Sequence, residues 1–190
     1  EDLFRDSRAW IKENSIGYRG GAWLSTDSRK GISFRPGLGY GWKDNGYGGY
    51  RVALSTIIRA SQRLSSSITI AQHLRITPQQ WVGIVSDDLG DHRIYGKARQ
   101  ITDEITVRLS YAFSPDLSFQ TYMQPFRAKV NYSDFVELAA PMTRKYIPFN
   151  YSDNKNFIMD NTIGTFVMRW EYLPGSVIYL VYNLNDRNYF

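Results

Sequence analysis

Between Ile32 and Trp42 every second residue is apolar. Ile32, Phe34, Pro36, Leu38, Tyr40 and Trp42 alternate with Ser33, Arg35, Gly37, Gly39 and Gly41. Successive side chains of an extended strand point to opposite faces, so a period of two gathers the apolar groups on one side. A helix needs a period near 3.6 and would scatter these residues around its circumference. The segment is therefore read as a strand with one apolar and one small or charged face.

The pattern recurs along the chain. Tyr50, Val52, Leu54, Thr56 and Ile58 oppose Arg51, Ala53, Ser55 and Arg59, with Ile57 the exception. Leu64, Ile68, Ile70, Leu74 and Ile76 oppose Arg63, Ser65, Ser67, Thr69, His73 and Arg75. Ile101, Ile105, Val107, Leu109, Tyr111 and Phe113 oppose Thr102, Glu104, Thr106, Arg108 and Ser110. Phe166, Met168, Trp170 and Tyr172 oppose Thr165, Arg169 and Glu171, and Ile178, Leu180, Tyr182 and Leu184 form a last apolar face. About eight strands are predicted, over 16–25, 31–43, 49–60, 63–76, 93–113, 117–126, 157–173 and 176–185. Residues 1–15 are expected to be an irregular lead-in to a single domain spanning 1–190.

The connections sort by parity. Tight turns are expected at Thr26 to Lys30, Ala60 to Gln62, Ser114 to Asp116 and Pro174-Gly175, where Pro presets one dihedral and Gly permits a positive one. Between them lie more open connections, Asp44 to Gly48, Thr77 to His92 and Arg127 to Asn156. Transmembrane barrels have this asymmetry, with short periplasmic turns and longer outer loops.

Composition narrows the classes. The 190 residues contain no cysteine and two histidines, which excludes disulfides, thiolate chemistry and a multi-histidine zinc site. No apolar run is long enough for a transmembrane helix. A mean hydropathy of −0.40 is compatible with a barrel, because only alternate residues face lipid. The net charge of +5 is scattered without a basic tail, so nucleic acid is not an expected partner. A soluble antiparallel sheet also alternates. The Arg, Ser, Thr and Gly of the second face, the Tyr and Trp at strand ends and the loop parity favour lipid. The expected fold is all-β, an antiparallel transmembrane up-and-down β-barrel of a bacterial outer membrane, or part of a larger one. A soluble barrel or sandwich binding a small ligand or glycan stays open, and so does a membrane-embedded hydrolase.

Three stretches carry a family resemblance. They are Ser25 to Lys30 with Ile32-Ser33-Phe34; Arg108 to Gln120 running on through Gln124-Pro125-Phe126 and Tyr132 to Phe135; and Arg169 to Ser176. Together they resemble the bacterial family called domain of unknown function 5916. The resemblance implies an outer-membrane barrel longer than this chain. It also implies a link to carbohydrate, through a type 9 carbohydrate-binding module that often lies upstream and is absent here. It supplies no catalytic residues. The implied partners are the outer-membrane lipid bilayer and either the rest of the same barrel or other outer-membrane proteins, with a glycan open.

Candidate residues follow from the two faces. Arg35, Arg51, Arg63, His73, Arg75, Glu104, Arg108, Arg169 and Glu171 are expected to face a lumen, where carboxylates pair with arginines or a basic ring favours anionic solutes. Tyr40, Trp42, Tyr111, Trp170, Tyr172 and Tyr182 are expected at the membrane interfaces. Ser65, Ser67 or Thr69 with His73 would be needed for a nucleophile and base, and Glu104 with Glu171 for a glycosidase pair. Asp87, Asp88 and Asp91 beside His92, and Asp153, Asn154, Asn156, Asp160 and Asn161, read as solvated loops sooner than as calcium ligands. Tyr132, Phe135, Tyr146, Phe149 and Tyr151 are expected to pin a long loop, or else to stack on sugars. Neither a catalytic residue, a metal site nor a cofactor is assigned.

Overall fold

The computed structural model describes residues 15–88, 90–140, 143 and 145–190. They form nine strands: β1 (Gly17–Trp23), β2 (Ile32–Lys43), β3 (Gly48–Arg59), β4 (Leu64–Asp87), β5 (Gly90–Ala112), β6 (Leu117–Leu138), β7 (Tyr146–Pro148), β8 (Phe157–Leu173) and β9 (Ser176–Tyr189). One antiparallel sheet runs in chain order from β1 to β6 and on to β8 and β9, with β7 added at the end of β6. The expected lead-in over 1–15 falls almost wholly outside the described residues.

Two expectations need correction. The sheet is not closed into a barrel: its path ends at β1 and β9, which do not pair with each other. Alternation fixes faces and neighbours, but says nothing about whether the first and last strands meet. Nor are Thr77 to His92 and Arg127 to Leu138 open loops. They extend β4 to Asp87 and β6 to Leu138, well beyond the expected strands, and start β5 three residues earlier, at Gly90. Bulges hide this extension. The β4–β5 register shifts between Thr77 and Gln80 and again between Trp81 and Gly83, and the β5–β6 register shifts between Tyr95 and Lys97. Each bulge breaks the parity of the pattern, and Pro78, which has no N–H to donate, sits in the first of them. The polarity pattern also inverts here: Ala98, Ala128 and Val130 are apolar and buried on the face that is polar elsewhere, while Arg99, Arg127 and Lys129 stand on the other.

Short hairpins stagger the strands evenly. Partner residues define a row Leu38–Val52–Gln72–Asp103–Arg127–Asp160 across β2 to β8. The midpoints of the four short hairpins are Lys30, Gln62, Pro115 and Pro174. Counted along the strands they lie eight, ten, twelve and fourteen residues below that row. Each hairpin thus drops by one residue per strand. Gly175, at φ 79°, supplies the left-handed residue of the last one.

Among the described residues, one packed core cluster forms, at the far end, where Tyr95 and Leu138 are buried against Trp81, Val136 and Tyr146. Elsewhere the described residues form a single layer, and none of them covers its apolar face.

Candidate functional site

Following partner residues across the sheet separates two faces. Arg35, Arg51, His73, Arg75, Glu104, Arg108, Arg169 and Glu171 all fall on the polar one by strand parity and register, and Arg63 lies in the turn just before β4. At its centre Glu104 receives an Arg51 guanidinium at 3.4 Å and lies 3.2 Å from His73 Nε2. Gln124 donates to the other carboxylate oxygen at 3.0 Å, and the Tyr122 hydroxyl donates to Gln124. Charge-assisted hydrogen bonds of this kind satisfy a carboxylate whose side chain is 16% exposed. Lower down, Arg108 stacks 4.9 Å above the Tyr122 ring, and Arg169 bonds Glu171 at 2.6 Å. Arg–carboxylate pairing thus holds for two of the expected groups. Gln124 and Tyr122 were missed, because only the β5–β6 register brings them to Glu104.

The hydrolytic pairings are not assembled. Thr69 bonds Ser55 at 2.8 Å, and Ser67 lies opposite Arg108, six residues along the strand from His73. Glu104 aligns through Phe126 with Asn161, ten residues from Glu171, a separation of roughly 30 Å at the strand rise. That far exceeds the ~5–9.5 Å of glycosidase carboxylates.

The opposite face is apolar and exposed, with Leu38 at 50%, Leu54 at 44%, Ile70 at 57% and Leu180 at 67%. Of the expected interface aromatics, Tyr40, Trp42, Trp170 and Tyr172 are half-exposed here and form ring contacts, Tyr40 with Trp42 and Trp170 with Tyr172. Tyr111 contacts Phe113 at 4.6 Å, and Tyr182 sits opposite Phe166. One polar line crosses this face. The Tyr50 hydroxyl donates to Gln72, whose amide donates to Asp103 at 2.8 Å; Asp103 is the partner residue of Arg127, which bonds both oxygens of Asp160 at 2.7 Å. Each polar residue looks like an isolated break in the alternation until the register aligns them. Asp160 is correspondingly a strand residue and not part of an acidic loop, and Asn161 beside it is buried. A hollow of about 1560 Å³ runs along this line, between Leu54, Ile70, Ile105 and Pro125 on one side and the polar groups on the other.

Beyond the polar line, the β4–β5 hairpin and β6 meet at His92. Its Nε2 lies 3.0 Å from Asp87, its Nδ1 lies 3.0 Å from Glu137, and its ring contacts Phe149. A carboxylate at each nitrogen favours the imidazolium. Glu137 first and Asp87 second therefore raise the His92 pKa above its usual value. A raised folded value means that this contribution is full below the unfolded value near ~6.5 and fades as pH rises through the folded one. Hydrogen exchange of the amides at 84–95, corrected for intrinsic rates, is expected to be slower at pH 6 than at pH 8.5, and His92→Gln to remove the difference. The loop aromatics pin this region: Phe135 packs on Tyr151 at 4.9 Å and Tyr146 on Tyr95 at 5.9 Å. Among the described residues, no group of three or more His, Cys, Asp or Glu is placed to hold a metal ion.

A sequence model of the family described as Domain of unknown function (DUF5916) matches residues 4–189. No curated protein and no solved structure matches the chain.

Proposed function

The chain belongs to the family of domain of unknown function 5916, and from that membership and its geometry we propose that the sheet is part of the wall of an outer-membrane β-barrel acting as a pore, receptor or scaffold. The single observation that carries the reading is the broad apolar face, exposed and uncovered on a one-layer sheet. Contiguous apolar patches on soluble monomers rarely exceed a few hundred Å².

The even stagger supports it. If the four short hairpins lie in one plane, one residue of drop per strand, at ~3.3 Å rise and ~4.8 Å spacing, tilts the strands by about 35°. Transmembrane barrels tilt by ~35–45°. On that tilt Tyr18, Tyr40, Tyr50, Gln72, Asp103, Arg127 and Asp160 fall within one layer about 8 Å deep, and Tyr111, Phe113, Phe119, Trp170 and Tyr172 within another near the hairpins. Between them lie Leu54, Ile70, Val107, Phe166, Met168 and Leu180, in a band roughly 22 Å tall against the ~25 Å of known barrels. Tyr182 falls inside this band and not at its rim. The polar face then looks into the barrel, and the unpaired edges of β1 and β9 need further strands, because lipid does not tolerate an open edge; in vesicles of this chain alone the edges of further copies supply them.

Partition of the chain tests this. It is expected to be β-rich by circular dichroism in detergent or phosphatidylcholine vesicles, and to run as a heat-modifiable band. A β-rich monomer in plain buffer would overturn the reading and favour a soluble ligand binder that uses the hollow.

A further inference from the structure

Two cations stand just beyond the polar line on the apolar face. Arg99 of β5 is the partner residue of Ile76 and Asn131, and Lys129 of β6 is the partner residue of Ile101 and Ile158. They are diagonal neighbours across the β5–β6 ladder, within ~7–8 Å at the backbone. Both are exposed. Among the described residues, neither has a hydrogen-bond or ion-pair partner.

The nearby carboxylates are already engaged. Asp160 takes Arg127 in a two-pronged contact, Asp103 accepts the Gln72 amide, and Asp134 lies 3.4 Å from Lys97. The two unengaged charges therefore make a local positive excess. Below them on the same face come Ile101 and Leu74, then the polar line through Asp103 and Arg127, and beneath that line the apolar band that begins with Ile105 and Pro125. On the tilt derived above, the two residues stand within roughly 5–11 Å beyond the polar line, and the headgroup layer of a leaflet is ~5–8 Å deep. Long basic side chains lay their stems on apolar surface and carry their charge to such a layer.

We propose that Arg99 and Lys129 hold the phosphate of an anionic lipid in the outer leaflet, with its acyl chains on the apolar face beneath. The proposal rests on the membrane reading and adds a lipid class to it. The charge complementarity selects a phosphate that is not masked by a cationic headgroup. An apolar or zwitterionic lipid gains nothing from the pair.

Native mass spectrometry of the full chain in dodecyl maltoside tests it, with dioleoyl phosphatidic acid as probe and dioleoyl phosphatidylcholine for comparison. Phosphatidic acid is expected to bind more tightly. R99A/K129A is expected to weaken it by roughly 30-fold, at about 5-fold per cation. Phosphatidylcholine is expected to bind the variant as it binds the parent. R99K/K129R keeps both charges and is expected to keep the affinity, as is the control K155A/R187A. Equal phosphatidic acid binding by R99A/K129A overturns the proposal. Displacement of the lipid by an equal concentration of inorganic phosphate overturns the lipid source and leaves a free-anion site. Insertion into phosphatidylcholine vesicles is scored separately: a chain that inserts without preferring phosphatidic acid loses this proposal alone, and a chain that does not insert loses both.

Discussion

Leu54→Arg is expected to abolish stable association of the chain with phosphatidylcholine vesicles. Leu54 lies on the exposed apolar face, flanked in register by Pro36 and Ile70. On the tilt that brings the short hairpins to one plane, it falls near the middle of the apolar band. An arginine at the midplane of a barrel wall costs ~2–4 kcal/mol, or roughly 30- to 1000-fold in the folding equilibrium. Ser67→Asp adds a charge to the other face, directly opposite Arg108, and is expected to change that equilibrium by less than about 1 kcal/mol. Urea titration of vesicle-bound protein, with cosedimentation as the readout, measures both. If the sheet were soluble, Leu54→Arg would place its guanidinium in water at little cost, and the two variants would behave alike. The comparison therefore depends on which face meets lipid and not on how well either variant folds in general.

The same face shows how far the sequence was readable. Strand existence and side assignment follow from period two wherever residue pairs keep their parity, as from Ile32 to Ile76 and from Ile101 to Ala112, and the short turns between these runs give the neighbour order. Closure was not readable, since it depends on how curvature accumulates over all the strands. The outer extensions were not readable either. Pro78, the shifts near Trp81 and Gly96 and the apolar Ala98, Ala128 and Val130 on the otherwise polar face each break the phase on which the alternation depends. The candidate residues divide in the same way. Arg169 with Glu171 sits two residues apart on one strand and is visible as spacing. Glu104 with Gln124, and Gln72 with Asp103, are paired only across strands, so their contacts appear only once the register is known. His92 was legible as a neighbour of Asp87, but Glu137, forty-five positions away in sequence, was not.

Tyr95→Ala is expected to loosen the outer extension while leaving vesicle insertion intact. Tyr95 is 2% exposed and holds edge-to-face contacts with Trp81 at 5.4 Å and Tyr146 at 5.9 Å. Only Leu138 is buried with it in this cluster, so few neighbours can move in to fill the space. Truncating a large buried aromatic costs roughly 3–5 kcal/mol, and here that cost falls on one local unit. The contacts gather β4, β5, β6 and β7, all beyond the polar line, whereas the strands of the apolar band keep their own ladder hydrogen bonds. Limited proteolysis is expected to cut the variant within 78–95 or 132–150 and the parent much more slowly there. Tyr95→Phe keeps the ring and is expected to resist like the parent. Loss of insertion in Tyr95→Ala would show that the extension and the wall fold as one unit, and would remove the separation between an outer cap and a membrane band. Retained insertion with local cleavage would establish that the apolar face of the sheet, without the Tyr95 cluster, is enough to hold the chain in a bilayer.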